Sequence, residues 1–235
     1  MATRINKYIA ESGLSSRRAA ENYIRAGVVT INGAIAKLGA QVKTGDIVKV
    51  KGKLIEPKAE KIYIAFNKPV GVITTTNQDY ANNIMEYIHI KERVFPIGRL
   101  DVESSGLMLL TNDGELGNSL SKGEGKCEKE YVVTVDKTVN GQFLKKLSEG
   151  VILDGYRTLP AKASQLGSKS FSLIILEGKN RQIRRMCEFF KYNVVKLERI
   201  RIGKITLQGL KSGAWRYLDE KEIKTFKKLA DKTPP

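Results

Sequence analysis

Apolar and polar residues alternate along this chain with two different periods. Over the first 55 residues the period starts out helical: Ile5, Tyr8 and Ile9 share one face, and Gly13 closes the segment. Ser15 is placed to cap a second helix running to about Ala26, with Ala20, Tyr23 and Ile24 on its apolar side and Gly27 after it. The period then shortens to two. Residues 28–31 and 34–36 flank Asn32-Gly33, a pair suited to the positive φ angles of a type I′ hairpin turn, and Gly45-Asp46 leads into a last strand at 47–50. The stretch KGKLIEPKAEK at 51–61 is charged, carries Pro57 and keeps no period, which reads as a connection. The expected organisation is a small domain of two helices then strands at 1–55, a linker at 56–61 and a second domain at 62–235.

Strand patterns dominate after Ile62. Residues 63–66, 131–135 and 171–176 are β-branched and aromatic runs, and Met108-Leu109-Leu110 is a fully apolar one. Helical periods are interleaved near 84–88, 141–148 and 181–190. The expected fold is α+β, built on a mixed, mainly antiparallel sheet. No repeat with a period of 20 to 50 residues is present, and only the tail at 231–235 is of low complexity.

Charge narrows the partner. The 235 residues carry a formal charge of +16, more than solubility needs, so a polyanion is expected, with nucleic acid ahead of a membrane surface. No apolar stretch is long enough to span a bilayer, and MATRINKYIAESG lacks the apolar region of a signal peptide, so a cytoplasmic protein is expected. Cys127 and Cys187 are the only cysteines and His89 the only histidine, too few for a disulfide framework or a Cys/His metal site. Between Arg4 and Lys58 eleven Lys or Arg face four acids, a net of +7. Lys7 with Arg4 on the first helix and Arg17, Arg18 and Arg25 on the second form a surface able to track phosphates. The sequence RINKYIAESGLSSRRAAENYIRAGVVTING followed by GDIVKV resembles the S4 RNA-binding domain, which implies binding to structured RNA.

The chemistry is expected in the phrase GRLDVESSGLMLLTNDGEL. It puts Asp101 in a glycine-punctuated loop just before an apolar strand, where a carboxylate can be held rigidly and still face a cleft. This phrase resembles the active-site loop of the RsuA-type RNA pseudouridine synthases, and the resemblance implies that Asp101 is the nucleophile. Asn67-Lys68-Pro69-Val70-Gly71, Lys129-Glu130-Tyr131-Val132-Val133 and Gly178-Lys179-Asn180-Arg181-Gln182-Ile183-Arg184-Arg185-Met186 match further blocks of that family in order. RVFPIGRLD and KLERIRIGKITLQGLKSGAWRYL are most similar to its RluF branch, which acts on large-subunit, 23S, ribosomal RNA. By the resemblance, Tyr131 stacks on the flipped uracil and Arg184 pairs with Asp101; in the related RluA-type enzymes the Arg at the place of Arg99 enters the RNA stack where the base has left, which implies a lower cost of flipping here. Arg181 and Arg185 are expected phosphate contacts. Lys196, Arg199, Arg201 and Lys204 extend a basic groove wall, Lys68 and Pro69 shape a turn, and Trp215 is a packing residue.

The implied reaction breaks the N1–C1′ bond of uridine, turns the base and joins C5 to C1′. It gains and loses no atom, so no cofactor or metal is expected, and the chain has no GxGxxG, GxxxxGK[ST], CxxC or HExxH motif. An ionised carboxylate with a fixed cation beside it suffices. Attack at C1′, addition to the base and a glycal route all remain open. The expected partner is a 23S ribosomal RNA stem-loop, with transfer RNA a second candidate, bound by a monomer without membrane contact. A non-catalytic RNA-binding or ribosome-assembly factor would explain the charge but not the set Asp101, Tyr131 and Arg184. A nuclease or methyltransferase would need metal ligands or a nucleotide loop.

Overall fold

The computed structural model describes residues 2–58, 60–122 and 127–231. Ala59 of the expected linker and residues 232–235 of the tail lie outside the described residues. The chain forms two compact units. One contains Met1–Ile62 with Ile90–Val94 and Asn112–Gly114; the other contains Tyr63–His89, Phe95–Thr111 and the chain from Glu115 onward.

In the first unit helices α1 (Ile5–Glu11) and α2 (Arg17–Arg25) bury Ile5, Ile9, Ala20 and Ile24 against Val29, Val42, Val48 and Val50. The cap of α2 is Ser16, not Ser15: the Ser16 hydroxyl accepts from the Ala19 N–H at 3.1 Å, while Ser15 is buried and donates to the Ser16 carbonyl. The sheet runs Ala34–Ile35, Val29–Ile31, Val48–Val50, Lys53–Leu54, all antiparallel. Asn32 and Gly33 both have positive φ, 51° and 84°, as the hairpin turn requires. The last strand pair enters the stretch that the sequence left without a period.

The second unit is organised on one nine-stranded sheet. Its path is Lys162–Gly167, Ser170–Ile175, Lys129–Val135, Val194–Ile202, Ser105–Thr111, Tyr63–Lys68, Trp215–Tyr217. Of these pairings only Val194–Ile202 against Ser105–Thr111 is parallel. Helices α3 (Gly114–Lys122), α4 (Gly141–Ser148), α5 (Gln182–Phe189) and α6 (Glu220–Asp231) accompany it. Near 84–88 the chain makes only a short 3-10 turn, Ile84–Glu86, with Asn83 and Glu86 forming a capping box at its start.

Burial tells which strands matter. Tyr63–Lys68 is buried at every position and Ser105–Thr111 at all but the first, so both faces of this part of the sheet are covered. Leu107, Leu109, Leu116, Ile202, Leu218 and Phe226 meet in one core between sheet, α3 and α6. Gly106 sits where no other residue fits. A Cβ there would collide with the Arg199 carbonyl oxygen, and its φ is +107°. That close approach lets the strand after Asp101 run directly against the strand carrying Arg199.

Candidate active site

Asp101 follows buried Leu100 in a loop tied down from two sides. The Thr74 hydroxyl donates to the Leu100 carbonyl at 2.7 Å and accepts from its N–H at 3.3 Å. The Gly71 N–H donates to the Val102 carbonyl, and the Ser104 N–H to the Asp101 carbonyl. The block Asn67–Gly71 therefore leads into a backbone template for the loop: residues 71–74 grip the residues on either side of Asp101.

Lys68 ends the strand leading into that template and is wholly buried. Its ammonium donates to the Pro69 and Val72 carbonyls, each at 2.8 Å, which fixes the turn. Burial pulls its pKa down to about 8; the nearby Asp101 carboxylate raises it and Arg199 lowers it further. A carboxylate and two cations thus feel one another beneath the loop.

Arg184 reaches the same loop, but its ion pair is with Glu103 rather than Asp101. Its Nη2 donates to the Glu103 carbonyl and the Ser104 hydroxyl at 3.3 Å each, its Nη1 donates to the Val194 carbonyl at 3.1 Å, and its Nε lies 3.6 Å from a Glu103 carboxylate oxygen. The cause is geometric: α5 approaches where the loop turns into its strand, so the guanidinium meets acceptors two and three residues past Asp101. Arg181 also pairs with Glu103, at 3.1 Å, and Arg185 pairs with Asp154. Arg181 is the left-handed cap of α5, φ 48°, a conformation costly for a side chain with a Cβ.

Asp101, Tyr131, Lys129 and Arg199 line one cavity of about 450 Å3, with Arg99, Lys179 and Arg181 also on its wall. Tyr131 is 6% exposed on the inner strand Lys129–Val135, directly opposite Arg199 of the neighbouring strand. Burial lowers the Lys129 pKa, with Cys127 and Glu177 acting in the opposite direction. Glu177 is buried at the cavity wall, where its carboxylate accepts from Tyr156 Oη, the Leu159 N–H and Gln182 Nε2, all within 2.9 Å. It secures the turn that starts α5.

The expected groove wall divides in two. Lys204 is exposed, and Lys196 pairs with Glu198, as surface cations do. Arg199 is 3% exposed, and Arg201 is held by Glu130 and Glu128 at 2.7 and 3.1 Å. Arg199 was legible only as a charge. Its position two residues after Leu197 on one strand face was the available signal for burial. Arg17, Arg18 and Arg25 are exposed on α2, and Lys7 sits 3.7 Å from Glu11 on α1. Trp215 lies half-buried in the edge strand, its ring edge-on to Tyr217.

Residues 62–189 match the RNA pseudouridylate synthase family, and residues 3–48 match the S4 domain. The dual-specificity RNA pseudouridine synthase RluF of Escherichia coli (strain K12) is 46% identical over 98% of this chain and 80% of its own length. The ribosomal large subunit pseudouridine synthase B of Bacillus subtilis (strain 168) is 39% identical over 97% of each chain. The crystal structure of a pseudouridylate synthase, 34% identical, superposes over 95% of this chain and 99% of the other with a TM-score of 0.70. Among the described residues no helix is long and apolar enough to cross a membrane.

Proposed function

This chain belongs to the RNA pseudouridylate synthase family, with an S4 domain ahead of the catalytic one, and from that premise we propose that it converts a specific uridine of 23S ribosomal RNA to pseudouridine in the Asp101 cavity. The protein is an isomerase acting on uridine in RNA. The observation that supports the choice of site is the convergence of Asp101, Tyr131 and Arg199 on one cavity, whose size falls in the ordinary range for ligand pockets, roughly 300–1,000 Å3.

In this reading Asp101 supplies the carboxylate that drives N1–C1′ cleavage, and the flipped base rests on Tyr131. The cost of base extraction is offset partly by Arg99, exposed two residues before Asp101 and able to fill the gap in the stack. Arg184 works through the loop: by holding Glu103 and Ser104 it sets where Asp101 can sit. Arg181 and Arg185 meet phosphates at the rim by exchanging Glu103 and Asp154 for RNA. Lys7, Arg17, Arg18 and Arg25 of the front domain give affinity and placement. The same stem-loop logic admits a transfer RNA as second substrate, and the proposed protein works as a cytoplasmic monomer. The name of the Bacillus subtilis relative carries this proposal toward large-subunit ribosomal RNA, and the dual specificity in the name of the Escherichia coli relative leaves room for a second RNA. Mapping pseudouridine in ribosomal and transfer RNA from cells with and without the gene tests it. Loss of a 23S site in the deletion is the expected result; unchanged ribosomal RNA with a missing transfer RNA site would reassign the substrate.

A further inference from the structure

Arg199 stands in the middle of the sheet with part of its hydrogen-bonding capacity unused. Its Nε donates to the Leu107 carbonyl at 2.7 Å, which fixes the plane of the guanidinium, and Nη1 donates to the Tyr131 hydroxyl at 3.5 Å. Its Nη2 is buried and has no hydrogen-bond partner among the described residues. A guanidinium keeps its proton and offers only donors, so an unmet one inside a protein costs stability unless something fills it. The side chain lines the cavity that holds Asp101 and Tyr131. What fills it must come through that cavity and must present an acceptor.

We infer that Arg199 is a further substrate-binding residue whose Nη2 takes a carbonyl oxygen of the flipped uracil while Nη1 keeps the Tyr131 hydroxyl beside the base. The inference rests on the reading of this cavity as the uridine site. A base carbonyl fits better than a phosphate because Arg199 is almost wholly buried, whereas phosphates stay with the RNA backbone near exposed Arg99 and Arg181. Buried Lys68 is engaged with the Pro69 and Val72 carbonyls and half-buried Lys129 with that of Cys127 at 3.4 Å, while Arg184, whose Nε also has no hydrogen-bond partner among the described residues, turns that Nε to the Glu103 carboxylate at 3.6 Å and does not line this cavity. Uracil offers O2 and O4. If O4 is the atom taken, a cytosine in its place would turn an amino donor toward the arginine, so the contact would also select the base.

The test compares single-turnover pseudouridine formation on an RNA fragment carrying uridine, 2-thiouridine or 4-thiouridine at the target, since sulfur is a weak acceptor. The wild type should slow about tenfold or more on one of the two thio substrates, which identifies the oxygen. Arg199→Gln should slow roughly ten- to a hundredfold on uridine and lose nothing further on that thio substrate, with RNA affinity unchanged. Arg199→Lys, which keeps the charge but not the fork, should recover only part of the rate. Wild-type rates on both thio substrates equal to that on uridine would overturn the proposal, whether or not the variants fold. So would thio and Arg199 effects that multiply. Asp101→Asn run in parallel separates the two levels: if it is inactive while the effects multiply, only the Arg199 assignment fails, and if it is active the uridine site itself is elsewhere.

Discussion

The arginines of α2 and those of the catalytic sheet are the same residue in opposite surroundings. Arg17, Arg18 and Arg25 are exposed on a short helix of the front unit, where a cation costs nothing to hold and can meet a phosphate at any of many angles. Arg184 and Arg199 are buried, and carbonyls and hydroxyls that engage part of their donors tie them to the Asp101 loop and Tyr131. Exposed cations give diffuse attraction; buried ones give position. The overall charge of +16 therefore counts two functions together, and only burial separates them.

If the sheet centre is where position is made, disturbing it should cost most. Gly106→Ala forces a Cβ into the Arg199 backbone at a positive φ, and it should destabilise the catalytic domain by about 3 kcal/mol or more and abolish turnover. Thermal melting and a turnover assay check it; a variant as stable as wild type would mean the strands can part there at no cost. Arg184→Ala should leave RNA affinity near wild type while cutting single-turnover rate about a hundredfold, the scale expected when a reacting group is displaced by about 1 Å. A reduction confined to affinity would place Arg184 with the exposed set instead.

Lys68 sharpens the comparison through pH. It titrates at about 8 in the folded protein and near 10.4 in an unfolded chain. Between those values the unfolded chain binds more protons, so stability should rise with pH through that window, by on the order of 2–3 kcal/mol in all, and below pH 8 the folded state carries the full cost of the buried charge. Denaturant midpoints from pH 7 to 10.5 for wild type and Lys68→Met check this: the wild type should gain that amount relative to the variant, in which Lys129 and the two buried thiols still titrate. The smallest effects belong to the exposed set. Arg18→Ala and Arg25→Ala should each change stability by less than about 0.5 kcal/mol. Each should also flatten the slope of log affinity against log salt by about 0.7 to 0.9 for every phosphate it no longer neutralises. A stability drop of several kcal/mol would show that these residues hold the fold.

Local signals were legible in the sequence where local rules decide the outcome. Helix α4 falls at 141–148 as read, with Asn140 accepting from the Phe143 N–H at its start, and Asn32-Gly33 makes its hairpin. Helix α6 was not read, although Asp219 and Glu222 form a reciprocal capping box that its sequence displays. Helix α3 contains two glycines and little apolar period, and its place depends on Leu116 joining the sheet core. Asp101 and Tyr131 were found by motif, and the structure brings them to one cavity. The partner of Arg184 was beyond reach, because it depends on acceptors about 80 residues away in sequence. Arg199 was hidden for a similar reason: a charged residue in a basic run reads as surface until Gly106 is seen to bring another strand onto it.

The central claim is that chemistry resides at Asp101 and affinity in the cations around it. Asp101→Asn preserves shape and hydrogen-bonding reach but removes the negative charge. Single-turnover pseudouridine formation on a ribosomal RNA fragment modified by the wild type, measured beside a binding titration of the same fragment, should show no detectable product with affinity equal to or slightly tighter than wild type. A near-normal rate from Asp101→Asn would contradict the account, and so would an absence of product explained entirely by weakened binding.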